Sequence, residues 1–103
     1  MISMSDLERA FREERPLKGF IAPGLALSYQ PREHLVIGRA DRRLDAEDIA
    51  LAVALAREVF IILACEPERD AIKQNGATWH IARWKLQRES VADHLPLKKE
   101  IVR

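Results

Sequence analysis

The sequence predicts a small α+β protein in which a mainly antiparallel sheet packs on a long apolar helix. Three observations indicate this class: an amphipathic segment opens the chain, two short apolar runs flank a compact polar turn, and a long alanine- and leucine-rich run follows. The chain has 103 residues, 48% hydrophobic and 32% charged, so we expect one domain over residues 1–103. The expected element order is α-β-β-α-α-β.

The first helix is expected to begin at a capping box. Ser5-Asp-Leu-Glu8 has the required pattern, in which a serine hydroxyl and a glutamate carboxylate bond the free amides of a helix start. Leu7, Ala10 and Phe11 then recur at helical spacing and predict a buried face. The helix should end before Pro16, because the residue preceding a proline is pushed out of the helical region.

An antiparallel hairpin is predicted to follow a loop. Residues 16–24 contain two prolines and two glycines, which is typical of a loop. Leu25–Tyr29 and Leu35–Ala40 are short apolar runs on either side of a polar turn, so they are expected to pair as strands.

The alanine- and leucine-rich run predicts one long helix from Ala46 to about Cys65. Asp45 is placed to cap its first turn and Pro67 to end it. One alternative stays open, because the later part of the run is rich in β-branched residues. In that case the helix breaks near Arg57 and residues 59–64 form an additional central strand.

The last third of the chain predicts a short helix, a strand and a tail. Pro67 suits the first position of a helix that Gly76 would close. Thr78–Leu86 carries two tryptophans and an isoleucine, which favours a strand. Residues 87–103 turn polar and predict a tail that is either extended and docked or frayed.

Charge is unevenly distributed along a chain whose net charge is only +1. Residues 25–44 and 76–103 are basic, whereas residues 45–75 are acidic, so the sheet is expected to be basic. A basic sheet can contact phosphate, and a tryptophan can stack on an unpaired base. Trp79 and Trp84 lie an odd number of positions apart, so a strand directs them to opposite faces. The candidate nucleic-acid contacts are Arg39, Arg42, Arg43, Trp79, Arg83 and Lys85.

The predicted long helix is apolar around most of its circumference, so most of that circumference has to be buried. A small sheet covers one side only, and a chain this short has little left to cover the other. The other side could be covered by the first helix and the tail or by a second copy of the protein, and we expect the second copy, which would form a homodimer. The candidate self-association residues are Leu51, Leu55, Val59 and Ile62.

The sequence contains no recognisable motif for catalysis, cofactor binding or metal binding. The chain has no glycine-rich phosphate loop, no His-Glu-x-x-His and no pair of cysteines. Cys65 follows Ile-Ile-Leu-Ala, which predicts a buried and inert thiol. The weakest hypothesis is an enzyme whose site assembles from His80, Cys65 and the carboxylates of residues 66–70. We expect a protein without catalytic activity, cofactor or metal.

The sequence therefore favours a small protein that binds another protein or a second copy of itself. Near-zero net charge and spare apolar surface suit a protein partner better than nucleic acid. The alternative is a small nucleic-acid-binding regulator that uses the basic sheet and tail. The sequence predicts a cytoplasmic protein without membrane contact. It has a single cysteine, it shows no signal-peptide pattern, and it contains no apolar run of about 20 residues.

Overall fold

The computed structural model describes residues 1–87, which form an α+β fold with a five-stranded antiparallel sheet and two helices. The strand order across the sheet is β1-β2-β3-β5-β4. The predicted fold class is confirmed, and the predicted tail, apart from Gln87, lies outside the described residues. The elements are α1 Met4–Glu13, β1 Leu17–Ala22, β2 Leu25–Gln30, β3 Leu35–Ala40, α2 Ala46–Arg57, β4 Glu68–Gln74 and β5 Ala77–Lys85.

Helix α1 forms where it was expected, but its capping box lies two residues earlier. The Asp6 amide donates to the Ser3 hydroxyl at 3.2 Å, and the Ser3 amide donates to the Asp6 carboxylate at 2.9 Å. The Ile2 amide donates to the Phe20 carbonyl at 2.8 Å, so the start of the chain is attached to the sheet at this point. The helix therefore begins at the Ser3 cap rather than at the Ser5–Glu8 box. The predicted apolar face is confirmed, since Leu7, Ala10 and Phe11 are buried.

The loop predicted for residues 16–24 is wrong for most of its length. Leu17–Ala22 forms the edge strand β1, paired with β2. The prolines lie outside this strand, and Pro23-Gly24 forms the turn, with Gly24 at a φ of 75°. Gly19 lies inside the strand, where an added Cβ would stand 2.9 Å from Ile2. Glycine here therefore permits a close approach between the chain start and the sheet.

The predicted hairpin is confirmed as β2 and β3, which pair from Leu25 opposite Ala40 to Gln30 opposite Leu35. Helix α2 also begins as expected. The Asp45 side chain accepts from the Asp48 amide at 2.9 Å, and the Asp48 carboxylate accepts from the Asp45 amide at 3.0 Å. This reciprocal pair satisfies two free amides at the helix start.

Helix α2 ends at Arg57, so the long helix predicted to reach Cys65 is wrong. Val59 and Phe60 leave the helix and enter the core, where each is 3% exposed. The Phe60 ring packs on Phe11 and Tyr29, with centroid distances of 5.4 and 4.8 Å. Packing of this aromatic cluster outweighs the helical spacing of the sequence.

The alternative strand over residues 59–64 is not present either. This segment joins the sheet only through an isolated bridge between Ile62 and Leu86. The amide of Leu63 donates to the Lys85 carbonyl at 2.9 Å, and the Gln87 amide donates to the Ile61 carbonyl at 2.9 Å. The segment therefore follows the end of β5 without forming an element of its own.

The short helix predicted after Pro67 is replaced by strand β4. Asn75 and Gly76 have φ angles of 54° and 79°, which makes them a two-residue turn of the kind that joins tight hairpins. β4 therefore pairs antiparallel with β5 through this turn. β4 is also an edge strand whose residues are all exposed, and the Ala71 amide donates to the Asp70 carboxylate at 2.8 Å.

Both helices pack on the same side of the sheet, which we call the covered face. The core on that face joins residues of α1 and α2 to alternate residues of the strands. No helix covers the other side among residues 1–87, and we call it the open face. Its outward side chains, inferred from strand alternation and register, include Lys18, Phe20, Ala26, Ser28, Ile37, Arg39, Asp70, Ile72, Trp79, Ile81, Arg83 and Lys85.

Candidate binding surfaces

The open face has an apolar centre on β3 and β5. Ile37 lies opposite Arg83, and Arg39 lies opposite Ile81. A shallow depression of about 190 Å³ runs along these strands and β2. Two large apolar side chains stand further out, Phe20 with 57% of its surface exposed and Ile72 with 36%. The lining residues of the depression are Lys18, Ala26, Leu27, Ser28, Gln30, Ile37, Arg39 and Ile81.

Arg39 and Trp79 form a stacked pair beside this centre. The guanidinium carbon of Arg39 lies 4.3 Å from the centre of the Trp79 ring, within cation–π distance. Arg39 also donates from Nη2 to the Gln74 Oε1 at 3.1 Å. Three strands thus hold one guanidinium over one side of the indole ring.

Charges of both signs lie on the β5–β4 side of the open face. Arg83 Nη2 is 3.4 Å from the Asp70 Oδ2, and Glu68 lies opposite Arg83 in the register. Lys85 is exposed at the end of β5. The positive charge of the open face is therefore partly compensated along β4.

Four of the six candidate nucleic-acid residues, Arg39, Trp79, Arg83 and Lys85, lie on the open face. The structure places the other two elsewhere. Arg42 donates from Nη2 to the Asp48 Oδ1 at 3.1 Å, so it holds the start of α2. The hydrogen bond from Arg42 lowers the pKa of Asp48, and the same bond raises the pKa of Arg42.

Arg43 lines a separate cleft of about 370 Å³. Arg69 reaches this cleft from β4 and donates from Nη1 to the Leu44 carbonyl at 3.0 Å. Arg69 is not among the residues that the sequence predicts for a site, because its segment predicts a helix. His80 also lines the cleft, so two guanidinium groups and an imidazole border one concavity. Asp70 contributes to the same lining.

A second exposed surface runs along α2, and we call it the α2 stripe. Its exposed residues recur at helical spacing, with Leu51 42% exposed at the centre. Of the candidate self-association residues, Leu51 lies on this stripe. Leu55 and Ile62 are partly buried against the core, and Val59 is 3% exposed within it. The stripe consists of Glu47, Ala50, Leu51, Ala54, Arg57 and Glu58.

The prediction of a buried thiol is wrong, because Cys65 is exposed. Its Sγ lies 3.8 Å from Nη1 of Arg57, and its carbonyl accepts from the Trp84 indole at 2.9 Å. The apolar run before Cys65 was misleading because the chain has already left the helix there. In the described part of the chain, no three His, Cys, Asp or Glu side chains group as metal ligands would.

The remaining shifted pKa values have structural causes. The hydrogen bonds from Ser3 in the capping box lower the pKa of Asp6. Burial raises the pKa of Tyr29, which belongs to the aromatic cluster of the core. Neither group lines a cleft described above.

No helix within residues 1–87 is both long enough and apolar enough to cross a bilayer. Comparison with protein-family models, curated proteins and solved structures gave no significant match to the chain.

Proposed function

We propose that this protein is a small non-catalytic binding protein that contacts another protein and self-associates. The observation that supports this most is the exposure of large apolar side chains on two separate surfaces. Phe20 is 57% exposed on the open face, and Leu51 is 42% exposed on the α2 stripe. Exposed apolar groups that cluster within a polar rim are typical of protein interfaces. A cytoplasmic location belongs to the same proposal, since a single cysteine suits a reducing compartment.

The open face suits the protein partner. Its centre is apolar at the half-buried Ile37, with Ile81 only 7% exposed beneath the surface, and an aromatic ring and arginines lie beside that centre. Interfaces are enriched in aromatic residues and arginine at their cores. Lys18 and Lys85 are exposed on the same face, so we expect a partner that presents apolar side chains flanked by carboxylates.

The second candidate function is binding of single-stranded nucleic acid to the same face. The observation that favours it is the presence of Arg39, Trp79, Arg83 and Lys85 together on one uncovered sheet. Two contacts weigh against it. Arg39 occupies one side of the Trp79 ring, where a base would stack, and Asp70 lies beside Arg83. The protein partner is therefore favoured.

One pair of binding experiments tests this choice. Random peptides displayed on phage are selected on the immobilised chain and then bound in solution to the wild type and to Phe20→Glu. We expect the selected peptides to combine apolar and acidic residues and to lose affinity for Phe20→Glu. Labelled single- and double-stranded oligonucleotides are titrated in parallel at low and moderate salt. Saturable, salt-sensitive oligonucleotide binding that Arg39→Ala weakens, with no peptide selected, would overturn the protein proposal in favour of nucleic acid.

A further inference from the structure

Within residues 1–87, the core leaves one side of α2 apolar and uncovered. Residues 49–56 are all alanine, valine, leucine or isoleucine, so no charge interrupts the middle of the helix. Only Ala52 and Ala56 are fully buried within α2. On the opposite side Ala50, Leu51 and Ala54 are exposed. The uncovered side is therefore apolar over two turns and is bordered by charge at each end.

The spacing of this stripe is that of a helix–helix seam. Glu47, Ala50, Ala54 and Arg57 follow one another at intervals of three, four and three residues, as seam positions of packed helices do. When two such helices pack antiparallel about a two-fold axis, each seam position faces a different seam position of the other copy. Glu47 then faces Arg57, and Ala50 faces Ala54.

The charges of the α2 stripe favour this antiparallel alignment, and they favour a second copy of the same chain as the partner. An acidic residue stands at the start of the seam and a basic residue at its end, so an antiparallel second copy brings opposite charges together at both ends. A shift by one residue would bring Glu47 opposite Glu58, with like charges at both ends. A single surface that complements itself under a two-fold rotation fits a second copy of the same chain.

Small side chains at the centre allow close packing. Ala50 and Ala54 permit the helix axes to approach to about 8 Å, the short end of the range for packed helices. Leu51 stands beside the seam near its midpoint, so the two-fold axis places the Leu51 side chains of both copies next to each other. This contact would cover Leu51, a large apolar side chain of α2 that is 42% exposed.

We propose that the chain forms a two-fold symmetric dimer in which the two α2 helices pack antiparallel, with Glu47 of each copy beside Arg57 of the other. The proposal rests on the self-association proposed above and names its surface and its alignment. Helices this short bury less than the roughly 800 Å² per partner of a standard interface, so we expect a concentration-dependent dimer. Val59 lies in the core of each copy and takes no part in the contact.

Sedimentation equilibrium of the full chain and its variants tests the surface. We expect Leu51→Glu to abolish the dimer at concentrations where the wild type is dimeric, because it buries two carboxylates next to each other. Phe20→Glu is the control, since Phe20 is also a large exposed apolar residue but lies on the open face. It should leave the dimer unchanged.

Charge reversal tests the alignment. Glu47→Arg and Arg57→Glu should each weaken the dimer by about five- to thirty-fold, because each places like charges at two symmetry-related contacts. The double variant restores both pairs and should return the dissociation constant to near the wild-type value. Glu8→Arg reverses an exposed charge on α1 and should change nothing. Circular dichroism checks that each variant is folded.

Cross-linking gives a second measurement of the same contact. In a Cys65→Ser background, Leu51→Cys should form an intermolecular disulfide on mild oxidation, and Phe20→Cys should not. A wild type that stays monomeric at high concentration would overturn both the proposed self-association and this dimer. A dimer insensitive to Leu51→Glu and to both charge reversals would overturn only the α2 interface and leave self-association standing.

Discussion

The two faces of the sheet are built from the same strands but differ in the exposure and polarity of their side chains. On the covered face, Leu25, Leu27 and Val36 are at most 1% exposed and belong to one apolar core. On the open face, the intervening residues of the same strands include Ser28, Arg39 and other polar or charged groups. The central strands therefore contribute to the core through one set of side chains and to the proposed binding surface through the other. Substitutions one position apart should then affect different properties.

The two tryptophans of β5 give the largest contrast. Trp84 is 2% exposed and donates to the Cys65 carbonyl, so Trp84→Ala should leave a large cavity and lower the free energy of unfolding by about 3–5 kcal/mol. Trp79→Ala removes the stacking with Arg39 on the open face and should cost about 1 kcal/mol. Urea denaturation followed by far-ultraviolet circular dichroism measures both. Equal losses would contradict the division of the sheet into two faces.

The tight β4–β5 turn holds β4 at the edge of the open face, and its contribution to stability can be measured. Gly76 has a φ of 79°, which costs a residue with a side chain about 1–2 kcal/mol, so Gly76→Ala should destabilise the protein by that amount. Asn75→Gly is the control, since a glycine accepts the φ of 54° at that position without strain. Denaturant midpoints compare the two. A neutral Gly76→Ala would argue that the turn is not left-handed.

The Asp48 carboxylate at the start of α2 makes the free energy of unfolding depend on pH. Because the hydrogen bond from Arg42 lowers the pKa of Asp48 below its ordinary value of 3.8, the folded state favours the ionised carboxylate. This contribution is complete above pH 3.8 and is lost as the pH falls through the lower folded-state pKa. The free energy of unfolding should fall less steeply in Asp48→Asn than in the wild type over that acidic range. Parallel pH profiles, with Glu33→Gln as an exposed control, would refute the link.

The ion pair on the open face should have the smallest effect. Arg83 and Asp70 are partly exposed and 3.4 Å apart, so their pairing should contribute at most about 1 kcal/mol. A double-mutant cycle with Arg83→Ala and Asp70→Ala isolates the coupling, and denaturation in high salt should remove most of it. A coupling energy as large as the loss in Trp84→Ala would mean that the open face also stabilises the fold.

The sequence predicted those elements whose local pattern agrees with the tertiary structure. Short apolar runs beside a polar turn predict β2 and β3, and the run with two tryptophans and an isoleucine predicts β5. The odd spacing of Trp79 and Trp84 places them on opposite faces, one half-buried and one buried. β4 was missed because its charged sequence was taken for a helix start, although Asn75-Gly76 is a strong hairpin signal. β1 was missed because the prolines and Gly24 were counted within the segment rather than at its ends.

The end of α2 could not be found from local pattern, because it depends on contacts distant in the chain. Phe60 leaves the helical spacing to pack between Phe11 and Tyr29, residues of other elements. For the same reason the candidate surfaces were predicted only in part. Leu51 lies on an exposed surface, as its predicted role requires, but Val59 lies in the core because the helix does not extend that far. Arg42 was assigned to nucleic acid although it pairs with Asp48 at the start of α2.

The hydrogen bond from the Ala71 amide to the Asp70 carboxylate affects whether the protein can aggregate through its β4 edge. Gln74 and Ala77 flank a two-residue turn, so bonded pairs alternate from there and the Ala71 amide points away from β5. An outward amide on an edge strand is where another chain can add and start a growing fibre. The Asp70 carboxylate already occupies that amide, and the neighbouring Arg69 and Lys73 add charge that repels a like strand. These features discourage strand-by-strand polymerisation at the β4 edge of the sheet.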